Sequence, residues 1–315
     1  MVFFEDLRPC DIHLSTVIDG LYGFFPDIGK NDIKFFYHGS YNVFEVKGRY
    51  IFRIPDKSLR NQKGVELILN EVKMLHHIRK YVSIKVPEPI YISTDPDCPF
   101  MGYEKIKGIP LHKVFIKIPK EKRLKVAANI GKFLTELHSE KLCKDGIEDK
   151  IVDNTFSCGK YKSNLEQYFK NIQQSIFQLL DESQKQWIKK LFINFLEKNE
   201  NFRFNYSIIH GDFDTSNILI DPHKLEVLGI VDFEESRIYD RAADFLFYNE
   251  GNNFLQTILK SYNHSIDKNF TERMKFLYKQ SCLGYLTYGV SNNLPDLVCW
   301  GLKLLEKRMN QFPLI

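Results

Sequence analysis

The stretch Ile208-Ile209-His210-Gly211-Asp212-Phe213-Asp214-Thr215-Ser216-Asn217, answered downstream by Ile230-Val231-Asp232-Phe233, constrains this chain more than any other part of it. An apolar run carries the backbone into a turn of Gly, Asp, Ser and Asn; a second apolar run returns and ends on one more carboxylate. Two strand-like runs of this kind bring Asp212, Asn217 and Asp232 to one spot. At 315 residues, 43% of them hydrophobic, the chain is long enough for two lobes or one large domain around that spot.

The five-residue step from Asp212 to Asn217, with Asp232 following, has the order and spacing of the kinase catalytic loop. There an Asp takes the acceptor hydroxyl proton, and an Asn and a later Asp hold the metal. Asp212 is the candidate base, a role worth ~10²–10⁴ in rate. Asn217 and Asp232 offer the oxygen ligands that Mg²⁺ prefers. Singly, each reads as a turn-forming or capping residue; jointly they point to phosphoryl transfer. No GxxxxGK(S/T) loop, GxGxxG after a strand, HExxH or GxSxG occurs, which removes the Walker, Rossmann, zincin and serine-hydrolase readings.

The 44 basic and 40 acidic residues nearly balance at a net charge of +4, so charge nominates no nucleic-acid partner, and Lys117 to Lys125 reads as the solvated opening of a helix. The six cysteines are scattered without a CxxC pair, as expected of free thiols in the cytoplasm. The N-terminal residues lack a signal pattern and no apolar run approaches the ~18 residues of a membrane span, so no membrane association is expected.

In chain order, a short helix is expected over Asp11 to Leu21, then a meander of strands Ile33–Tyr37, Val43–Val46 and Tyr50–Ile54 with a polar turn His38 to Asn42. Ser40 in that turn is a candidate phosphate contact, through backbone N–H groups laid over a nucleotide. Arg53 stands on the third strand where a kinase-type site keeps its phosphate-binding Lys. A helix over Val65 to Tyr81 places Glu71 beside its apolar stripe as the ion-pair partner of Arg53; His76 and His77 are expected at or near the surface. Two more strands, Tyr91–Ser93 and Phe100–Ile106, complete the sheet. Helices are expected over Pro119–His138, with Leu124 on the buried face, and over Tyr161–Leu180, with Leu179 inward. Further helices are expected over Glu182–Lys198, Phe254–Tyr262, Thr271–Val290 and Leu294–Met309. The fold expected is α+β and bilobal, protein-kinase-like. It has an N-terminal nucleotide-binding lobe over 1–106 and a helical catalytic and substrate-binding lobe over 107–315, with a helical hairpin inserted at about 160–200.

The segments Tyr50-Ile51-Phe52-Arg53-Ile54-Pro55, Asn70-Glu71-Val72, Val86-Pro87-Glu88, Lys105 to Leu111, Glu136-Leu137-His138-Ser139, His210-Gly211-Asp212-Phe213, and Val231-Asp232-Phe233 with Asp240 and Asp244 carry a resemblance. The chain resembles the aminoglycoside phosphotransferase and choline kinase-like superfamily, and most of all the 2''-aminoglycoside phosphotransferases. The resemblance implies Asp212 as base, Asn217 and Asp232 as Mg²⁺ ligands, Glu71 as the helix carboxylate, and Asp244 as a structural acid. It also implies the backbone of Glu104 and Ile106 as the purine-binding hinge, and Tyr103 as a gate favouring GTP over ATP. Arg53 departs from the usual Lys, as in similar macrolide enzymes, and Arg241 stands where the family often has Pro.

An aminoglycoside is a polycation and calls for carboxylates near the base; Asp214, Glu234, Glu235 and Glu250 are the candidates. The resulting expectation is a cytoplasmic, monomeric, GTP- or ATP-dependent O-phosphotransferase that confers aminoglycoside resistance. A kinase of a macrolide or small metabolite alcohol, and a nucleotide-binding protein with little transfer activity, stand as alternatives. An acidic pocket favours the first and an apolar one the macrolide.

Overall fold

The structure, a computed structural model, describes residues 9–313. A helix, Leu14–Tyr22 (α1), precedes a five-stranded sheet of Ile33–His38 (β1), Tyr41–Val46 (β2), Tyr50–Pro55 (β3), Pro89–Ser93 (β4) and Phe100–Glu104 (β5). The spatial order is β1-β2-β3-β5-β4 and every neighbouring pair is antiparallel. Lys47 and Gly48, both at positive φ, lie in the three-residue β2–β3 connection, closed by the Arg49 N–H to the Val46 carbonyl at 3.1 Å. Helix Gln62–Ile78 (α2) crosses between β3 and β4. It starts three residues earlier than its apolar periodicity suggests, because the Asn61 side chain caps it by accepting from Lys63 N–H at 2.8 Å.

Alternation along the strands assigns the two faces of the sheet. Phe44, Val46, Phe52, Ile54 and Phe100 pack under Val17 and Leu21 of α1, forming a small core of their own. Val43, Ile51 and Met101 face the other way, with Arg53 among them, into the large core shared with α2 and the helical part. Gly102 makes room for this packing, since a Cβ there would lie 2.4 Å from the Phe52 ring.

Beyond the sheet come Ile109–Pro110 (β6), Leu111–Val114 (α3), Lys120–Leu137 (α4), Glu140–Glu148 (α5), Cys158–Ser175 (α6) and Glu182–Leu196 (α7). Strands Tyr206–Ile209 (β7), Ile218–Ile220 (β8), Val227–Ile230 (β9) and Arg237–Asp240 (β10) follow, then Asn252–Ser261 (α8), Phe270–Ser291 (α9) and Pro295–Gln311 (α10). β6, β8 and β9 form one small sheet and β7 with β10 another. The α+β kinase-like architecture is the one the sequence leads one to expect.

Several local expectations are corrected. His77 is buried, with Nε2 2.9 Å from the Leu142 carbonyl, because α5 packs against α2 there. Leu124 is exposed: the buried stripe of α4 runs through Val126, Ala127, Ile130, Phe133, Leu134 and Leu137. α6 ends at Ser175, and Leu179 falls in an exposed 3-10 turn. No helix among the described residues is long and apolar enough to cross a membrane.

Candidate active site

β7 delivers the loop from His210 to Asn217, and a buried carboxylate holds its start. Asp244 accepts the N–H of His210 at 2.7 Å and of Gly211 at 3.0 Å, and faces Nε2 of His138 at 3.1 Å. Burial pushes the Asp244 carboxyl up, but His138, His210 and the Gly211 N–H outweigh it and hold the group below its usual range. Gly211 has φ +91°, and a Cβ there would come within 2.4 Å of the Glu235 carbonyl oxygen. The Asp212 N–H donates to Nδ1 of His210 at 3.3 Å, so the ring proton sits on Nε2, which donates to the Val231 carbonyl at 3.0 Å. Burial lowers the His210 pKa, consistent with that neutral tautomer.

The same loop brings the oxygen-bearing groups together. Asn217 Nδ2 donates to the Asp212 carbonyl at 2.9 Å and approaches its carboxylate at 3.4 Å, which leaves the amide Oδ1 for another partner. The Val231 N–H donates to the Asn217 carbonyl at 3.0 Å, tying the segment that ends on Asp232 to the loop. Asp232 itself has φ +72°, a conformation that L-residues other than Asn and Asp seldom adopt and that is found at functional sites.

Arg53, 4% exposed on β3, reaches from the sheet to this spot. One nitrogen pairs with Glu71 of α2; the other donates to Asp232 Oδ1 at 2.5 Å and approaches Glu234 at 3.4 Å. Its guanidinium lies 4.3 Å from the Tyr41 ring centroid. Burial opposes the arginine's charge, yet Asp232, Glu71 and Glu234 together keep it cationic. Burial pushes Glu234 up to about 8, with Asp232 beside it adding to the effect. Tyr37, Tyr41 and Tyr103 ring this cluster, and burial raises all three phenols.

The remaining expected residues separate. Ser40 and Asp212 line one cavity of about 460 Å³, together with Arg237, Tyr239, Leu246, Leu277, Tyr285, Tyr288 and Leu297. Glu104 and Ile106 line another of about 640 Å³, which contains neither Arg53 nor Asp232. Glu234 turns to Arg53 and lines a cavity beside α2 with Glu71. Glu235 is exposed and pairs with Arg237 at 2.9 Å. Asp214 accepts from Ser216 N–H at 2.6 Å, and Glu250 lies near enough to feel its charge. None of Asp214, Glu234, Glu235 and Glu250 lines the Asp212 cavity.

Sequence reasoning missed the support behind Asp244. Arg241 donates to the Tyr262 hydroxyl at 3.3 Å and to the carbonyls of Asn205 and Ser265, both at 3.2 Å. Tyr262 O–H in turn donates to His138 Nδ1 at 3.0 Å, and His138 Nε2–H to Asp244. His138 stands in one of the segments that carry the resemblance, but no spacing rule connects it to residues more than a hundred positions away. Arg273 similarly locks β10, donating to Asp240 at 2.7 Å and in bidentate fashion to Asp267.

The amide oxygen of Asn217 and the carboxylate of Asp232, carried on segments joined by the Val231 N–H to Asn217 carbonyl bond, are the kinds of donor a hard divalent ion takes.

A five-stranded antiparallel sheet whose buried Arg–Glu pair reaches an Asp on a segment tied to an Asp-to-Asn loop is the arrangement of a kinase-like phosphotransferase. Residues 32–266 match the model of the phosphotransferase enzyme family, and the chain belongs to that family. Among solved structures, the GDP complex of wild-type aminoglycoside 2'-phosphotransferase-IIIa superposes with a TM-score of 0.83 at 22% identity, over 96% of this chain and 100% of that one. The GDP and kanamycin complex of APH(2")-IIia gives 0.82 at 22% identity, over 94% and 99%. The macrolide 2'-phosphotransferase MphH from Brachybacterium faecium gives 0.70 at 12%, over 91% and 97%. At these identities the likeness establishes the fold. A curated relative, the probable acyl-CoA dehydrogenase IBR3 of Arabidopsis thaliana, is 25% identical over 73% of this chain, but the match spans only 29% of that protein's length.

Proposed function

We propose that the chain is a nucleoside-triphosphate-dependent O-phosphotransferase that moves a γ-phosphate to an acceptor hydroxyl. The observation that carries this reading is that the loop pairing Asn217 with Asp212 is tied by the Val231 N–H to the segment ending on Asp232, whose carboxylate takes Arg53 of the buried Arg53–Glu71 pair. Asp212, at the wall of the 460 Å³ cavity, takes the hydroxyl proton and orients the attacking oxygen. Asn217 and Asp232 hold Mg²⁺, which when bound offsets charge on the phosphates. Arg53 supplies a fixed cation at the phosphates in place of a Lys, held in position by Glu71. GTP or ATP is the donor, with Ser40 in the phosphate turn, Tyr103 as gate and the Glu104 and Ile106 backbone as hinge. The division at residues 106/107 belongs to the same reading. It is supported by the passage of the chain from β5, in the large sheet, to β6, paired with β8 near the catalytic loop.

For the acceptor, the aminoglycoside reading is supported by likeness over nearly the whole chain to proteins described as aminoglycoside phosphotransferases, one in complex with kanamycin. A second reading, an amphipathic alcohol of the macrolide kind, is favoured by the cavity wall: tyrosines, leucines and Arg237, with Asp212 its one carboxylate. In the first reading Asp214, Glu235 and Glu250 serve as outer contacts, and Glu234 belongs to the phosphate side. The test is acceptor-dependent turnover of GTP and ATP with kanamycin-type, macrolide and amino-alcohol acceptors. Asp212→Asn is expected to lower turnover by ~10²–10⁴ while the far-UV spectrum stays unchanged. Unaltered phosphorylation by this variant refutes the assigned base.

A further inference from the structure

His38, the last residue of β1, is 2% exposed, and its ring is gripped at both nitrogens. Nδ1 lies 2.6 Å from the Pro9 carbonyl, which can only accept, so Nδ1 carries a proton. In the neutral ring Nε2 is then a lone pair, and it faces two carboxylate oxygens: Asp56 Oδ2 at 3.1 Å and Asp11 Oδ2 at 3.5 Å. The three atoms lie within 4.8 Å of one another. Around them the second ring of hydrogen bonds is complete. Asp11 accepts from Asn42 Nδ2 at 2.7 Å, Arg60 Nη2 at 3.1 Å and Lys57 N–H at 2.8 Å. Asp56 Oδ1 accepts from the Ser58 N–H and hydroxyl, both at 2.9 Å.

We propose that His38, Asp11 and Asp56 form a site for a divalent transition-metal ion of the zinc type, apart from the proposed magnesium position. A histidine that gives its other N–H to a backbone carbonyl, beside carboxylates that are themselves hydrogen-bonded, is how proteins orient such ligands. Bonds of about 2.1 Å set ligand-to-ligand edges of about 3.0–3.4 Å in four- to six-coordinate sites; the 3.1 Å spacing to Asp56 falls in that range and the 3.5 Å spacing to Asp11 just above it, so a small shift of Asp11 completes the set. A nitrogen with two oxygens suits Zn²⁺ or Co²⁺. The side chains of Asp11 and Asp56 are 23% and 17% exposed, which gives an ion its way in. The bound ion ties residues 9–11, the end of β1 and the start of the segment after β3 together. Because Asp56 N–H donates to the Ser40 carbonyl at 2.9 Å, it braces the β1–β2 turn at the edge of the Asp212 cavity.

The test uses the full chain carrying Asp232→Asn, which weakens the magnesium position, titrated with Co²⁺ and then Zn²⁺. One Co²⁺ per chain with visible d–d absorption, displaced by Zn²⁺, and a Tm that climbs with ion concentration are expected. His38→Gln, Asp56→Asn and Asp11→Asn, each in that background, are expected to weaken binding by more than the ~10–100-fold that loss of a residue hydrogen-bonded behind a ligand causes. The three variants are independent, so misfolding of one leaves the others to decide. No ion uptake overturns the proposal. Uptake unaffected by the substitutions overturns it as well. Because binding is the readout, its failure leaves the phosphotransferase reading untouched.

Discussion

Replacing Asp244 with Asn probes the element on which the loop from His210 to Asn217 hangs. The carboxylate is fully buried and takes two backbone N–H groups and His138. The least damaging amide orientation keeps oxygen at the Oδ2 position, where His210 N–H and His138 both donate. The amide nitrogen then meets the Gly211 N–H at the former 3.0 Å contact, donor against donor. An unsatisfied buried N–H costs about 1–3 kcal/mol, and turning two charge-assisted bonds into neutral ones removes about 1 kcal/mol each, giving about 3–5 kcal/mol in all. That is a large share of the ~5–15 kcal/mol by which a domain is stable. Urea unfolding followed by circular dichroism and tryptophan fluorescence, extrapolated to water, measures the loss. Where the variant is still folded, kcat is expected to fall more than the KM for nucleotide rises, because the displaced loop carries Asp212. A loss below about 1 kcal/mol refutes the claim that this carboxylate organises the loop.

Arg53→Ala leaves Glu71 buried without its cation and is expected to destabilise by about 3–5 kcal/mol, read by the same unfolding assay; a variant as stable as the parent contradicts the pairing drawn here. Gly211→Ala combines φ +91° with a Cβ 2.4 Å from the Glu235 carbonyl, so a strain on the order of 1–3 kcal/mol and reduced turnover are expected. Gly159→Ala in α6 meets no neighbour and is expected to stabilise by roughly 0.5–1 kcal/mol, which makes it the matched control. Glu250 is raised from 4.5 to about 7, by burial first and by Asp214 as well. The folded form therefore holds this proton more tightly than the unfolded chain does, and stability is lost as pH rises from 4.5 to about 7. Glu250→Gln should remove that slope from Tm measured against pH; an unchanged slope assigns it to another group.

What could be read in advance shares one property: it depends on neighbours in sequence. The Asp212-to-Asn217 step lies within one loop, and β3 with Arg53 alternates along one strand. Where the sequence misled, packing between distant segments was responsible. His77 is buried only because α5 covers it, and Leu124 is exposed near the start of α4 although Ala127, Gly131, Leu134 and Leu137 of the same stripe are buried, Gly131 against α8.

By itself the sequence determined the class of chemistry: which side chains can abstract a proton, hold a hard ion and carry a fixed positive charge, and that the chain alternates in a way that makes a sheet followed by helices. Only the tertiary structure decided which of those side chains meet. Arg53 and Asp232 stand 179 positions apart and share one hydrogen bond, Glu234 approaches the same arginine, and Arg241, Tyr262 and His138 became the props of Asp244. The physical reason is that periodicity reports which face of an element is buried, whereas a buried charge must find its partner through space, wherever in the chain that partner lies.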